Sequence, residues 1–375
     1  MGLLTWRRRT DRRGATAAKS RDPHWDNVRA ISGTLVVFGH LTDTITDRDG
    51  LRWLQIATWA LRVPVFVMVA GYFSRADALT PREARRLTES ILVPYLAIGL
   101  LHSAEQYHFY DNWSFSIAQP HWAMWFLLSL LFWRAGLPYL AQLRYPLATS
   151  VAVALAAGYI SEFGGYLSLS RTLCFLPFFL LGWRLRQGLL ADALTARWSR
   201  HAAIAVLAVT FVTAWFIRHE VPFSWLRMSS AYDGTYELPR LWDWTIRLGV
   251  LVLGTVIALA FIRLTPRGRV PLLTYLGTGG LYIYLLHPLV LRPLLRWFGV
   301  DWVGPWPEQL SLVLFTVALT IVLGSPPVRR LARPFVQPRL PWLFRAEPDA
   351  PAPARTVPAP AAAPDDQLVR VPGPR

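Results

Sequence analysis

Charge is what this sequence has least of. Only 17% of its 375 residues are Asp, Glu, Lys or Arg, where a soluble domain carries nearer a quarter. It holds one lysine, Lys19, and one cysteine, Cys174. A single cysteine excludes a disulfide framework, and its place inside an apolar run reads as packing. Three motifs are absent as well. There is no G-x-x-x-x-G-K-[ST] phosphate loop, no G-x-G-x-x-G dinucleotide fingerprint and no G-x-S-x-G nucleophile elbow, so two common nucleotide sites and the usual serine hydrolase turn are excluded.

What is present is apolar and clumped. Hydrophobic residues make up 53% of the chain, with 18 Trp, gathered into long runs. That pattern implies a polytopic membrane protein rather than a large soluble core. The net charge of +16 is almost all arginine. Because the arginines sit between apolar runs, membrane topology explains them, and no nucleic-acid partner is expected.

A span needs about 20 mostly apolar residues. Candidates fall at 29–46, 53–73, 88–108, 121–141, 146–162, 168–185, 201–218, 243–263, 274–296 and 308–325, the fifth and sixth being the weakest. The expected fold is an all-α bundle of about ten transmembrane helices. Placing the N-terminus inside puts the denser arginine clusters, such as Arg7–Arg9, Arg82–Arg86 and Arg329–Arg333, on one side. This satisfies the positive-inside rule with both termini cytoplasmic. No small-residue cleavage site follows the first run, so it reads as a helix rather than a signal peptide. The expected layout is a basic N-terminal segment at 1–27, a membrane domain at 28–335 and a disordered Pro/Ala-rich cytoplasmic tail at 346–375. Tyr and Trp in the outer segments, Trp122 among them, suit an interfacial belt against membrane lipid, and the faces of a few also suit stacking on a sugar ring.

Polar groups inside spans are functional candidates by default. Here they are Arg29 and His40, Arg62, His102 and Glu105, and His287, with Arg134 and Arg247 nearer the ends. Arg29 and His40 are eleven positions apart, about 1100° of helical rotation, or three turns plus roughly 20°, with a rise of about 16.5 Å. They therefore share a face, with Ser32, Gly33 and Gly39 between them and Asp26-Asn27 ahead. An arginine at a helix end is also a common anchor. Pro64 interrupts the helix beside Arg62, a feature that suits a cavity. Arg82, Arg85 and Arg86 cluster at i, i+3 and i+4; they serve equally well as topology signals or as phosphate ligands of a nucleotide-like donor. Tyr284 and His287 share a face just before Pro288. His102, Glu105 and His108 also line up, but not as H-E-x-x-H, so no metal site is expected.

These motifs together resemble the integral membrane acyltransferases of the acyltransferase-3 type, and most of all their fucose 4-O-acetylase-like branch. The residues that carry the likeness are "DNVRAISGTLVVFGH" (Asp26–His40), "RVPVFVMVAGYFSR" (Arg62–Arg75), "RRLTESILVPY" (Arg85–Tyr95), "HWAMWFLLSLL" (His121–Leu131), "LPFFLLGWRLR" (Leu176–Arg186) and "LGTGGLYIYLLHPLV" (Leu276–Val290). The likeness covers most of the membrane region. One departure is Ala70, where the family often has serine before Gly-Tyr, here Gly71-Tyr72.

The resemblance implies O-acyl transfer, in the first instance acetyl, from cytoplasmic acetyl-CoA or another acyl-CoA to a hydroxyl of a carbohydrate or glycan acceptor. The setting would be a multi-pass protein of the plasma membrane with no permanently bound cofactor. It maps the family's essential pair onto Arg29 and His40 and its basic residues onto Arg85 and Arg86. His40, Arg29 and His287 are the candidates for catalysis. Arg82, Arg85, Arg86 and Tyr72 are the candidates for the donor; Asp26, Asn27, Arg62, Glu105 and Tyr284 are those for the acceptor. Neutral His40 would take the hydroxyl proton. His287 with Tyr284 would either orient it or stabilise the oxyanion, and a covalent acyl-histidine stays open. A transporter or flippase for a polysaccharide or lipid-linked sugar is the alternative, because broken spans and an intramembrane arginine also suit a substrate pathway.

Overall fold

The computed structural model describes residues 21–163, 165–229, 231–232 and 240–344. Among them every regular element is helical and there is no strand. The chain runs through α1 (Pro23–Thr42), α2 (Asp49–Tyr72), α3 (Pro81–Tyr110), α4 (Trp122–Leu140), α5 (Pro146–Tyr159), α6 (Leu169–Cys174) and α7 (Leu176–Arg186). It continues through α8 (Arg197–Ile217), α9 (Phe223–Arg227), α10 (Asp243–Leu264), α11 (Pro271–Thr278), α12 (Gly280–Phe298), α13 (Trp306–Leu323) and α14 (Pro326–Val336). Leu340–Arg375 forms a separate unit; its described part contains one 3₁₀ turn, Pro341–Leu343. The tail expected from residue 346 and the basic stretch before residue 21 lie outside the described residues.

Six of these helices are long and apolar enough to cross a membrane: α2, α3, α4, α8, α10 and α13. The count reaches seven if the bent pair around Phe175 is one span, short of the ten expected. The differences have local causes. The fifth predicted span is the shorter helix α5. The sixth bends by 53° between Tyr166–Cys174 and Leu176–Arg186, where Pro177 in the first turn of α7 has no N–H to continue α6. The ninth breaks at Gly279, the junction of α11 and α12. The first and ninth are carried by α1 and α12, 20 and 19 residues long, a length that suits the hydrocarbon core. Neither is among the six, because their polar side chains dilute the hydropathy. Those side chains include His40 and His287.

The first turn of α1 is fastened at both ends of its sequence motif. Asp22 caps the helix by accepting from the His24 N–H, and Pro23 occupies the first turn, where no N–H is needed. Asn27 is fully buried. Its amide donates to the Pro266 and Gly268 carbonyls at 2.9 Å and its oxygen accepts from Thr274 at 2.7 Å. Thereby α1 is locked onto the loop before α11. Along its length α1 packs against α2, α11, α12 and α13, while α2 packs against α1, α7, α8 and α10.

Close helix approach is bought by glycine, the usual device where lipid offers no hydrophobic drive. A Cβ at Gly277 would overlap the Asp26 carbonyl of α1. Gly71 and Gly182 act reciprocally: a Cβ at Gly71 would overlap the Phe179 carbonyl, and one at Gly182 the Met68 carbonyl. By contrast a Cβ at Gly33 meets nothing within 4 Å. Gly182→Ala should therefore destabilise the bundle by about 1–3 kcal/mol. Gly33→Ala should be neutral or stabilising by up to about 1 kcal/mol. Thermal unfolding of the two variants in the same detergent checks the contrast.

Candidate active site

α1 and α12 pack side by side and run parallel, and α2 runs back along α1. Gly280, at the start of α12, faces the Arg29 level of α1, and His287, two turns on, faces His40. Antiparallel α2 brings Arg62 to Gly39 and Phe73 to Arg29. The imidazoles of His40 and His287 stack with centroids 5.2 Å apart and planes at 27°. Trp122, just ahead of the main run of α4, closes on His40 at 4.7 Å. Gly39 is required here: a Cβ would collide with the Arg62 guanidinium, which lies across α1 immediately beside His40.

His287 is fully buried. Its Nδ1 lies 3.1 Å from the Ile283 carbonyl, an acceptor, so that nitrogen carries the hydrogen and Nε2 is left as the lone-pair nitrogen. Nε2 has no protein partner. One residue on, Pro288 withholds its N–H from the Tyr284 carbonyl, so the backbone beside the ring is one hydrogen bond short. The Tyr284 hydroxyl donates to the Ala123 carbonyl, and its ring packs 5.7 Å from Phe66 and 5.4 Å from Phe126. Tyr284 thus holds the entry of α4, and with it Trp122, against α12.

His40 opens onto a cavity of about 260 Å³. Its walls carry three tryptophans, Trp59, Trp122 and Trp125, and four charged groups, Asp43, Arg62, Arg171 and Arg227. Arg227 of α9 pairs with Asp43. Arg62 donates to the Gln55 carbonyl at 2.8 Å and has no carboxylate partner among the described residues. Arg171 of α6 sits over the Trp125 ring at 5.2 Å.

Arg29 lies at the other end of α1, paired with Asp26 at 2.9 Å and 4.5 Å above the Phe73 ring. Asp26 also binds Arg21 at 2.8 Å. The structure therefore puts Arg29 and His40 on one helix face but at different levels, and Arg29 is not part of the cavity wall. Asp26 and Asn27 are buried with their polar atoms engaged by the chain itself. Around the end of α2, Arg134 donates to Ser74 at 3.3 Å, Arg186 donates to the Tyr72 carbonyl at 3.3 Å, and Tyr72 stacks on Trp25 at 4.0 Å. Arg82 and Arg86 are exposed, and Arg85 pairs with Glu89 at 3.2 Å. They start α3, whose first turn is fixed by a reciprocal Thr80–Glu83 capping box.

His102 and Glu105 form a separate pair at 3.3 Å, off the cavity wall. His102 is fully buried and its Nε2 has no partner. His121 accompanies it, 3.2 Å from Ser103. His108 instead packs on Phe109. Among the described residues no group of three or more His, Cys, Asp or Glu is placed to hold a metal. Arg247 is buried, donating to the Ala154 carbonyl at 3.2 Å.

Reading the sequence missed Arg171 and Asp43. Arg171 falls inside the sixth predicted span, so the same rule that selected Arg62 selects it. Asp43 lies inside the first predicted span, three positions or one helical turn after His40, but was not singled out there. Of the α4 tryptophans, Trp122 was among the outer aromatics and Trp125 was not singled out.

Residues 22–325 match the family model described as an acyltransferase domain, of the acyltransferase-3 type. The chain belongs to this family and is a membrane acyltransferase. No curated protein and no solved structure matches it.

The Gly39–Arg62 contact can be tested directly. Gly39→Ala should displace the guanidinium, a flexible side-chain end, rather than the backbone, and so leave the fold intact. Acyl transfer should fall by about 10²-fold, the usual cost of a roughly 1 Å misplacement, with the unfolding midpoint little changed.

Proposed function

We propose that this acyltransferase moves an acetyl group from acetyl-CoA to a hydroxyl of a sugar or glycan, with His40 as the general base. The observation that carries the reading is the position of His40, stacked on a buried His287 and facing a tryptophan-lined cavity beside Arg62. The fucose 4-O-acetylase-like pattern of the motifs supports a sugar hydroxyl as acceptor, and flat tryptophan faces suit sugar rings. The protein sits in the plasma membrane as a multi-pass chain with cytoplasmic termini, following its arginine placement. The family membership replaces the flippase reading.

The chemistry follows from the groups present. The lone-pair nitrogen of His40 takes the proton of the acceptor hydroxyl as its oxygen attacks the thioester carbonyl carbon. The negative charge that develops on the carbonyl oxygen is met by the Arg62 guanidinium. The carbon–sulfur bond then breaks, and His40 returns the proton to the departing CoA thiolate. His287 acts as a positioning residue, holding the His40 ring from its buried side. Arg29, about 16.5 Å along α1, belongs to the donor end, with Arg82, Arg85, Arg86 and Tyr72, where guanidinium groups suit CoA phosphates. The pantetheine arm spans the distance between.

Transfer of labelled acetyl from acetyl-CoA by the purified protein in lipid nanodiscs tests this reading. His40→Ala should lose about 10²–10⁴-fold in rate while still inserting and eluting as a single species. Undiminished transfer by that variant overturns the assignment. His287→Gln should lower kcat with the KM for acetyl-CoA unchanged, whereas Arg85→Ala and Arg86→Ala should raise that KM more than they lower kcat.

A further inference from the structure

Among the described residues the charges on the cavity wall do not balance. There Arg62, Arg171 and Arg227 face one carboxylate, Asp43, and Arg227 is the residue that pairs with it. Arg62 is tied to the Gln55 carbonyl and lies against Gly39, at the level of the reacting groups. Arg171 is left. Its side chain has no hydrogen bond or ion pair among the described residues; its guanidinium rests on the Trp125 ring at 5.2 Å. That contact leaves the group on the cavity wall with its N–H donors unclaimed by those residues.

A cation in a partly dehydrated cavity is costly unless an anion meets it. A neutral sugar has no such group. The donor's phosphates are the other source of negative charge, but the proposed donor end is at Arg29. Arg171 and Arg227 meet α1 at the level of His40 and Asp43, eleven to fourteen residues or about 16–21 Å further along the helix.

We infer that the acceptor carries an anionic group, a carboxylate or a phosphate ester, bound by Arg171 while its hydroxyl lies at His40. A guanidinium pairs with either anion through two parallel N–H bonds, fixing both the position and the orientation of the acceptor. Trp122 and Trp125 supply flat faces for its ring. The acceptor class is thus an acidic sugar, such as a uronic acid or a phosphorylated glycan unit. This inference rests on the sugar acetyltransferase reading above.

The test uses the full chain in nanodiscs and three matched oligosaccharides: one bearing a uronic acid, its carboxyl-reduced neutral counterpart, and a phosphorylated one. At least one anionic acceptor should exceed the neutral one about tenfold in kcat/KM, and which one does so identifies the anion. Arg171→Gln should raise the KM for that acceptor about tenfold and collapse the preference. Arg171→Lys should retain part of it, which separates charge from folding. Equal use of the neutral acceptor overturns the inference. So does an Arg171→Gln defect confined to the KM for acetyl-CoA, which would assign Arg171 to the donor. If no acceptor is acetylated, the transfer reading fails, and the inference is still decided by calorimetric titration of the anionic oligosaccharides. Binding by the unaltered protein that is lost in Arg171→Gln supports it, and absence of binding overturns it.

Discussion

The Arg62 side chain crosses α1 at Gly39, donates to the Gln55 carbonyl, and lines the same cavity as His40 with no carboxylate among the described residues to neutralise it. Much of the surrounding structure accommodates this one placement. Glycine at 39 opens the passage, and Ser32 ties α1 to the backbone of α2 by donating to the Arg62 carbonyl at 2.9 Å. An unneutralised guanidinium inside a bundle needs a cavity to face, and the cavity needs walls that do not collapse. Trp59, Trp122 and Trp125 provide them, because large rigid rings lose little conformational freedom on being held.

Along α1 the polar residues divide by task. Near its start, Asp26 and Asn27 are occupied by Arg29, Arg21, Thr274 and two backbone carbonyls. These contacts set how α1 enters the bundle and where α11 and α12 begin. Three turns on, the His40 ring packs on Trp122 and His287 and makes no hydrogen bond among the described residues. A polar cluster at the entry thus orients the helix, and the less restrained imidazole at the far end is left for chemistry.

The helical class and the arginine-rich edges were legible because apolar run length and charge placement follow from the bilayer. Span number was less so. Pro177 and Gly279 break spans that look continuous by hydropathy, and the helices that bear His40 and His287 are the polar ones. His40, His287 and Arg62 were each visible as costly residues in apolar runs, but their convergence was not, since it depends on α12 running parallel to α1. Helical spacing correctly placed Arg29 and His40 on one face but left their different levels to the neighbours that each meets. Arg171 was hidden by belonging to a weak span, and Asp43 by lying near the end of the first predicted span, where a carboxylate can reach water.

Pro288 weakens its own helix by withholding an N–H from the Tyr284 carbonyl. The His287 ring, one residue before it, is held by the adjoining carbonyl of Ile283. The turn that carries the buried histidine is therefore the turn that lacks a backbone bond. A chain evolving toward a more perfect α12 would replace Pro288 and stiffen that turn, so the imperfection is one that selection for thermal robustness alone would tend to erase. In this protein the helix is weakest where the order of one side chain matters most.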